Sequence, residues 1–211
     1  MHWFGKVNGA IKMLVFISAA VNMADGFFAP IFAVFVSQRI TGGSLEVVGF
    51  AVATYWLIKS VIQLPIARFL DLTDGERDDY YAMIIGGIIF VITPFLYLIV
   101  SRPLELYAVQ ALYALGGSLF VVPWTSIFTR HVDKFRIGFE WSLNSSALGF
   151  GLMFAAALGG WLATHYGFSA VIACSSLLNA IGVVGMFALG RFIKLRAHVE
   201  KAFPEGHTHT K

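Results

Sequence analysis

The sequence predicts an all-α, polytopic membrane protein with six transmembrane helices. Of its 211 residues 58% are hydrophobic and only 13% are charged, and the mean hydropathy is +0.76. The apolar residues are grouped into six runs, each near the roughly 20 residues that a helix needs to cross a bilayer. This composition excludes a water-soluble globule and a disordered chain, because both need far more charged surface.

The six runs follow one another with short connections. They cover residues 13–37, 47–68, 82–101, 105–129, 139–163 and 169–190. The first run is too long for a cleavable signal peptide and carries Asp25, so we expect it to remain as the first helix. Turn residues such as Gly42 and Pro103 interrupt the sequence between runs. We therefore expect one bundle over residues 1–190, followed by a basic cytoplasmic tail, residues 191–211.

Lysine and arginine are distributed unevenly over the segments that flank the runs. Twelve of the fifteen lie in the N-terminus, the second and fourth connections and the tail, whereas the other connections hold only Arg39 and Arg102. Cytoplasmic segments collect these residues during insertion. The pattern predicts that both termini are cytoplasmic in a multi-pass protein of the cell membrane. Since the basic residues form no single face, it does not support a nucleic-acid partner.

Two charged residues fall in the middle of apolar runs. Asp25 is central in the first run and Lys59 in the second. A charge at mid-bilayer costs at least roughly 2.5–3.5 kcal/mol, and such residues usually mark a solute or ion pathway. Antiparallel neighbouring helices would place both at one depth, where an ion pair would offset part of that cost. A purely structural lock between the two helices is the alternative, and we favour a functional role.

Other polar residues share the helical faces of these two. Asn22 lies one turn before Asp25, and Gln63 one turn after Lys59. On the fourth run, one face carries Gln110, Tyr113, Gly117 and Trp124. We therefore expect the first, second and fourth helices to border a wet cavity and the third to face mostly lipid. The predicted substrate- or ion-binding residues are Asp25, Lys59, Asn22, Gln63, Tyr113 and Trp124.

Small residues recur every four positions along the fifth run. They are Ala147, Gly151, Ala155, Gly159 and Ala163. Such a row lets two helix backbones approach closely. A static contact is the simplest interpretation, and a contact that slides during a conformational cycle is the other, with Gly151 and Gly159 as gating candidates.

The sequence gives little support for catalysis, cofactors or metals. It lacks the nucleophile and base pairing of an intramembrane protease, and Cys174 has no second cysteine. No predicted strand precedes a glycine-rich segment, so a phosphate-binding loop is not expected. The His207-Thr208-His209 segment is weak evidence for a metal site. We expect no enzyme activity, no cofactor and no resident metal.

Two segments carry a resemblance to a known family. Residues 65–79, between the second and third runs, resemble the Gly-x-x-x-Asp-Arg-x-Gly-Arg-Arg signature of the major facilitator superfamily, with Asp71 at the aspartate position and Arg77 in the shortened basic cluster. Residues 151–160 resemble the family's antiporter signature without its proline. The resemblance covers one six-helix half of the usual twelve helices, and it implies a gating role for Asp71 and Arg77.

The resemblance also implies a function. Members of this family transport small solutes by alternating access, and their two halves are parallel repeats. Because an even number of spans leaves both termini on one side, two copies of this chain could form the full architecture as a homodimer, with protons as a candidate coupling ion. Three alternatives stay open: a different six-helix chain supplies the second half, the sequence is the N-terminal half of a longer transporter, or the chain has a non-transporting accessory role.

Overall fold

Seven α-helices form the part of the chain that the computed structural model describes, residues 7–72 and 76–202, with side chains to residue 193. Their bounds are α1 Gly9–Phe28, α2 Phe32–Arg39, α3 Leu45–Asp71, α4 Arg77–Leu96, α5 Pro103–His131, α6 Ile137–Tyr166 and α7 Phe168–Ala202. By length and hydropathy they provide six candidate membrane spans, of which the first joins α1 and α2 over Gly9–Arg39. The prediction of an all-α protein with six spanning helices is confirmed. The His207-Thr208-His209 segment lies outside the described residues.

The first span is broken in the middle. A single 3₁₀ turn, Ala29–Ile31, separates α1 from α2 and contains Pro30. Proline has no amide hydrogen and cannot continue the hydrogen-bond pattern of an α-helix. The break comes one turn after Asp25, and the backbone N–H of Ala29 donates to the Asp25 carbonyl.

The helices pack as an open arc in the order α6, α1, α7, α4, α5 and α3. The spans formed by α3 and α6 are by far the least buried. An open arc leaves one side of the bundle without a helix. The two end helices, α3 and α6, expose large apolar side chains, among them Trp56, Leu57, Phe150 and Phe154.

Two apolar clusters hold the opposite ends of the bundle. Near the start of α1, Ile11 and Leu14 pack with Phe128, Met186 and Leu189. Near the break and α2, a second cluster is rich in aromatic rings. It includes Phe28, Phe32, Phe35 and Tyr97, whose ring centroids lie 5.0–6.3 Å apart in the pairs that touch.

The prediction that the third span faces mostly lipid is wrong, because 44% of Arg77–Leu96 is buried. Gly86 and Gly87 of α4 are buried, and a Cβ built on Gly86 would lie 2.7 Å from the Gly116 carbonyl oxygen of α5. The opposite face of α4 is exposed and apolar, with Ile85, Ile88 and Ile92. Small residues thus let α4 pack closely against α5, while only its other face is available to lipid.

The row of small residues on α6 packs against α1. Gly151 approaches Ala19 and Met23, Ala155 approaches Gly26, and Gly159 meets the backbone of Phe27. A Cβ built on Gly26 would lie 2.9 Å from that of Ala155. The tight helix contact is present, and a gating role for Gly151 and Gly159 stays a prediction.

We predict that Gly159→Leu lowers the free energy of unfolding by about 1–3 kcal/mol, the usual cost of overpacking. The added side chain would meet the Phe27 backbone, which cannot move as a flexible side chain can. Gly160→Leu is the matched control, because nothing lies within 4 Å of a Cβ built there. Thermal unfolding in detergent measures both variants, and equal midpoints would contradict the packing.

Candidate functional site

A cavity of about 440 Å³ opens among α1, α3, α5 and α7. Its wall combines a few polar groups with a mostly apolar surface, the usual character of a small-molecule site. The polar and charged lining residues are Asn22, Asp25, Tyr55, Lys59, Thr93, Tyr97, Gln110, Tyr113, Ser175 and Asn179. The cavity therefore brings together both mid-span charges that the sequence singled out.

Asp25 enters the cavity from α1, just before the break at Pro30. The Tyr113 hydroxyl of α5 donates a hydrogen bond to its Oδ1. The Tyr113 ring is itself held between Phe90, at 5.1 Å, and Tyr55, at 5.4 Å between centroids. A phenol fixed by its neighbours on two sides thus positions the carboxylate.

Lys59 enters from α3 on the other side of the two tyrosines. Its Nζ donates to the Tyr55 hydroxyl at 3.3 Å and lies 5.0 Å from the centroid of the Trp56 ring. Aromatic faces attract an ammonium group, and the attraction grows as water is excluded. Lys59 is thus held by aromatic neighbours of its own helix.

The direct ion pair expected between Asp25 and Lys59 is not formed in the described structure. Each group instead contacts one phenol, Tyr113 for Asp25 and Tyr55 for Lys59. The two phenol rings pack against each other and link the two charged groups. Both charged groups line the same cavity, but each is bound to a tyrosine hydroxyl and not to the other charge.

Asn22 lines the cavity as predicted, and its Nδ2 donates to the Ser18 carbonyl at 2.8 Å. Trp124 does not: it lies in the core near the start of α1, where its Nε1–H donates to the Leu14 carbonyl and its ring stacks on Phe128. Gln63 is half-buried on α3 and is not part of the cavity wall. Gln63 and Trp124 each lie one or more turns away from the cavity, on helices whose polar faces extend beyond it.

Several cavity residues were missed by sequence reasoning. Ser175 and Asn179 reach the cavity from α7, the sixth span, and Thr93 and Tyr97 from α4 and its C-terminal end. Ser175 donates to the Ala24 carbonyl at 3.0 Å, and Asn179 donates to the Phe90 carbonyl at 3.0 Å. The spacing of four between Ser175 and Asn179 was the available signal for a polar face on the sixth span.

The predicted gating residues of the second connection lie at its edges. Asp71 is the last residue of α3 and Arg77 the first of α4, and both are exposed. Asp74 and Gly75, which belong to the same signature segment, lie outside the described residues. A role of Asp71 and Arg77 in gating stays a prediction.

A network of charges that sequence reasoning did not anticipate joins α4 to the end of α5. Asp79 is 2% exposed, and its Oδ2 accepts from Arg130 Nη1 at 2.6 Å and from the Ser126 hydroxyl at 3.4 Å. Close by, His131 Nδ1 lies 3.4 Å from a Glu76 carboxylate oxygen. The signal for this network in the sequence was an acidic residue, Asp79, at the start of the third run and a basic residue, Arg130, at the end of the fourth.

Metal ligation finds no support in residues 7–72 and 76–202. Among them, no three histidine, cysteine or acidic residues are grouped as metal ligands would be. The cavity offers one carboxylate beside amides, hydroxyls and an ammonium group. This set suits hydrogen bonding and charge recognition of an organic solute.

The comparisons with known proteins agree with this fold. The profile of the Major Facilitator Superfamily matches residues 14–209. A solved structure described as the POT family transporter PepTSo, crystallised in meso, is similar, with a TM-score of 0.66 and 18% sequence identity. The match covers 87% of this chain but only 37% of that one, so this chain corresponds to a part of the longer transporter. No curated protein matches the sequence.

We predict that Tyr113→Phe lowers the free energy of unfolding by about 1–3 kcal/mol, because it leaves the carboxylate of Asp25 without its described donor. Tyr81→Phe is the control, since Tyr81 is 61% exposed. Thermal unfolding in detergent measures both. Equal effects of the two substitutions would contradict the contribution of the Tyr113 hydroxyl group.

Proposed function

Because the chain belongs to the Major Facilitator Superfamily, we propose that it is a six-helix half of a secondary active transporter for a small organic solute. It works by alternating access as a homodimer, with protons as the coupling ion. The observation that carries this proposal is the cavity that holds Asp25 and Lys59. Sites near the midplane of such folds are where substrates and coupling ions bind.

Asp25 is the proposed proton or cation site, and Lys59 its counter-charge or the ligand of an anionic group of the solute. A carboxylate can change its charge by binding a proton, and an ionisable group in a membrane span is retained chiefly where it has such a task. The break at Pro30 supports this assignment, because interrupted helices in transporters leave backbone groups free to bind beside the site.

A second copy of the chain is the proposed partner. The two helices at the ends of the arc, α3 and α6, expose large apolar side chains on the flanks of the cavity. A two-fold axis along the membrane normal would place α3 of one copy against α6 of the other and close the cavity between them. Both termini would then face the cytoplasm in the cell membrane, as the basic connections suggest.

We predict that Asp25→Asn reduces gradient-driven uptake by about 5- to 150-fold, the range of typical coupling free energies. The amide keeps the shape of the side chain but cannot carry the proton. Proteoliposomes with an imposed pH gradient and a solute shown to be taken up by the wild type provide the measurement, and exposed Glu46→Gln is the control.

Unchanged uptake by Asp25→Asn would contradict proton coupling through this residue. Full function of a variant with both Asp25 and Lys59 replaced by leucine would favour the non-transporting accessory role. Isolation of the chain with a different six-helix protein would assign the second half to that protein.

We predict that cysteines at Gly49 and Gly160 form disulfide-linked dimers in native membranes, in a Cys174→Ser background. Both glycines have open space around them, near the same end of α3 and α6. In the proposed dimer, residue 49 of one copy approaches residue 160 of the other. A variant with cysteines at Gly49 and exposed Ile92 of α4 is the control, and equal crosslinking of the two variants would contradict the proposed interface.

A further inference from the structure

The charged groups of the cavity have hydrogen-bonding capacity that the described residues do not use. Asp25 accepts from Tyr113, yet a carboxylate has room for about four hydrogen bonds. Lys59 donates to Tyr55, yet an ammonium group has three donors. Both side chains line the cavity, so a bound solute can reach this unused capacity.

A solute with a single charge would satisfy only half of this arrangement. An anion at Lys59 would leave Asp25 without a counter-charge in direct contact, and a cation at Asp25 would leave Lys59 without one. In a largely apolar cavity, a charge without a partner costs far more than in water. The two groups do not neutralise each other through direct contact, since each is bound to a phenol instead.

We propose that the cavity binds a small zwitterion, with an ammonium group at Asp25, a carboxylate at Lys59 and an apolar body between aromatic walls. The inference rests on the proposed transport function and names its substrate class. It follows from the juxtaposition in one cavity of an acid and an amine that each hold a phenol and not each other.

Asn179 completes the ammonium end. Its Nδ2 must face the Phe90 carbonyl, to which it donates, so its Oδ1 is the free acceptor. This Oδ1 has no hydrogen-bond partner among the described residues, and Asn179 is only 2% exposed. Ser175, one turn earlier on α7, donates to the carbonyl of Ala24, next to Asp25. The geometry places an unpaired acceptor and a carboxylate on the same side of the cavity.

The apolar walls suit an aromatic or aliphatic body. Phe28, Phe32 and Trp56 line the cavity together with the tyrosines. A volume of about 440 Å³ is within the usual range for small ligands. L-Phenylalanine has both charges and an aromatic body, and it is therefore the probe of choice.

Proton coupling follows from the same contact. A proton on Asp25 removes the negative charge that attracts the ammonium group, so a proton and the solute compete for one carboxylate. Asp25 thereby serves both the coupling ion and the solute.

The test compares three probes that share the phenyl ring and differ in charge. They are L-phenylalanine, phenethylamine, which has only the ammonium group, and 3-phenylpropionate, which has only the carboxylate. Calorimetry on the full chain in lipid nanodiscs measures their affinities. We expect L-phenylalanine to bind about 10- to 100-fold more tightly than either analogue, the effect of one charged hydrogen-bonded contact.

The variants assign each end of the probe. In Asp25→Asn, L-phenylalanine is expected to bind no better than 3-phenylpropionate, and binding of the latter shows that the variant is folded. In Lys59→Met, L-phenylalanine is expected to bind no better than phenethylamine. Asn179→Ala should weaken the two amine-bearing probes and leave 3-phenylpropionate unchanged, whereas Glu46→Gln should change none of the affinities.

Several results would overturn the inference. One is equal or tighter binding of a singly charged analogue, and another is no binding of any probe. Accumulation of 3-phenylpropionate under a pH gradient would support the transport function but contradict the proposal that the substrate is a zwitterion. Charge-dependent binding of L-phenylalanine without gradient-driven uptake would support the zwitterion site and contradict the transport function.

Discussion

The structure depends on how an acid and an amine are accommodated in the interior of an apolar bundle. The phenols of Tyr113 and Tyr55 pack against each other, and each binds one of the two charges, Asp25 or Lys59. A hydroxyl group can donate to a carboxylate and accept from an ammonium group, so tyrosine suits both tasks. The charges are stabilised without collapsing onto each other, and the space beside them stays available as a cavity.

Backbone features hold this arrangement in place. Pro30 lies in the 3₁₀ turn that separates α1 from α2, one turn after Asp25 and beside the cavity. Gly26 and Gly159 bring α1 and α6 into close contact, while Gly86 does the same for α4 and α5. Without a hydrophobic driving force between helices in lipid, such close packing is a main source of helix association. The position of the charged residues is therefore fixed by residues that carry no charge.

The sequence predicted what depends on local composition and on the cost of burying charge. Run lengths predicted the six spans, and the cost of a mid-membrane charge identified Asp25 and Lys59, which meet in one cavity. Periodicity shows which residues share a helix face but not what that face meets. Trp124 shares a face with Tyr113, yet it packs into the core, because the two are three turns apart and the cavity ends between them.

Contacts between distant spans could not be predicted from the sequence. The packing of α4, α5 and α7 brings such residues together. Asn179 contacts Phe90 in this way, and Asp79 contacts Arg130. The direct contact of Asp25 with Lys59 was predicted from depth alone, and depth does not reveal that each group is bound to a tyrosine hydroxyl instead.

The two ends of the bundle are fastened by different forces. At one end Asp79 and Arg130 clamp α4 to α5, and Arg130 is partly exposed, with 39% of its side chain accessible. At the other end, the contacts among Phe28, Phe35 and Tyr97 are between aromatic rings. Dissolved salt screens exposed charges that lie more than about a Debye length apart, whereas it screens a partly buried contact pair much less and leaves ring packing unaffected. Because the Asp79–Arg130 contact is 2.6 Å long and Asp79 is buried, a rise in ionic strength weakens it little, so both ends of the bundle withstand changes in the surrounding electrolyte.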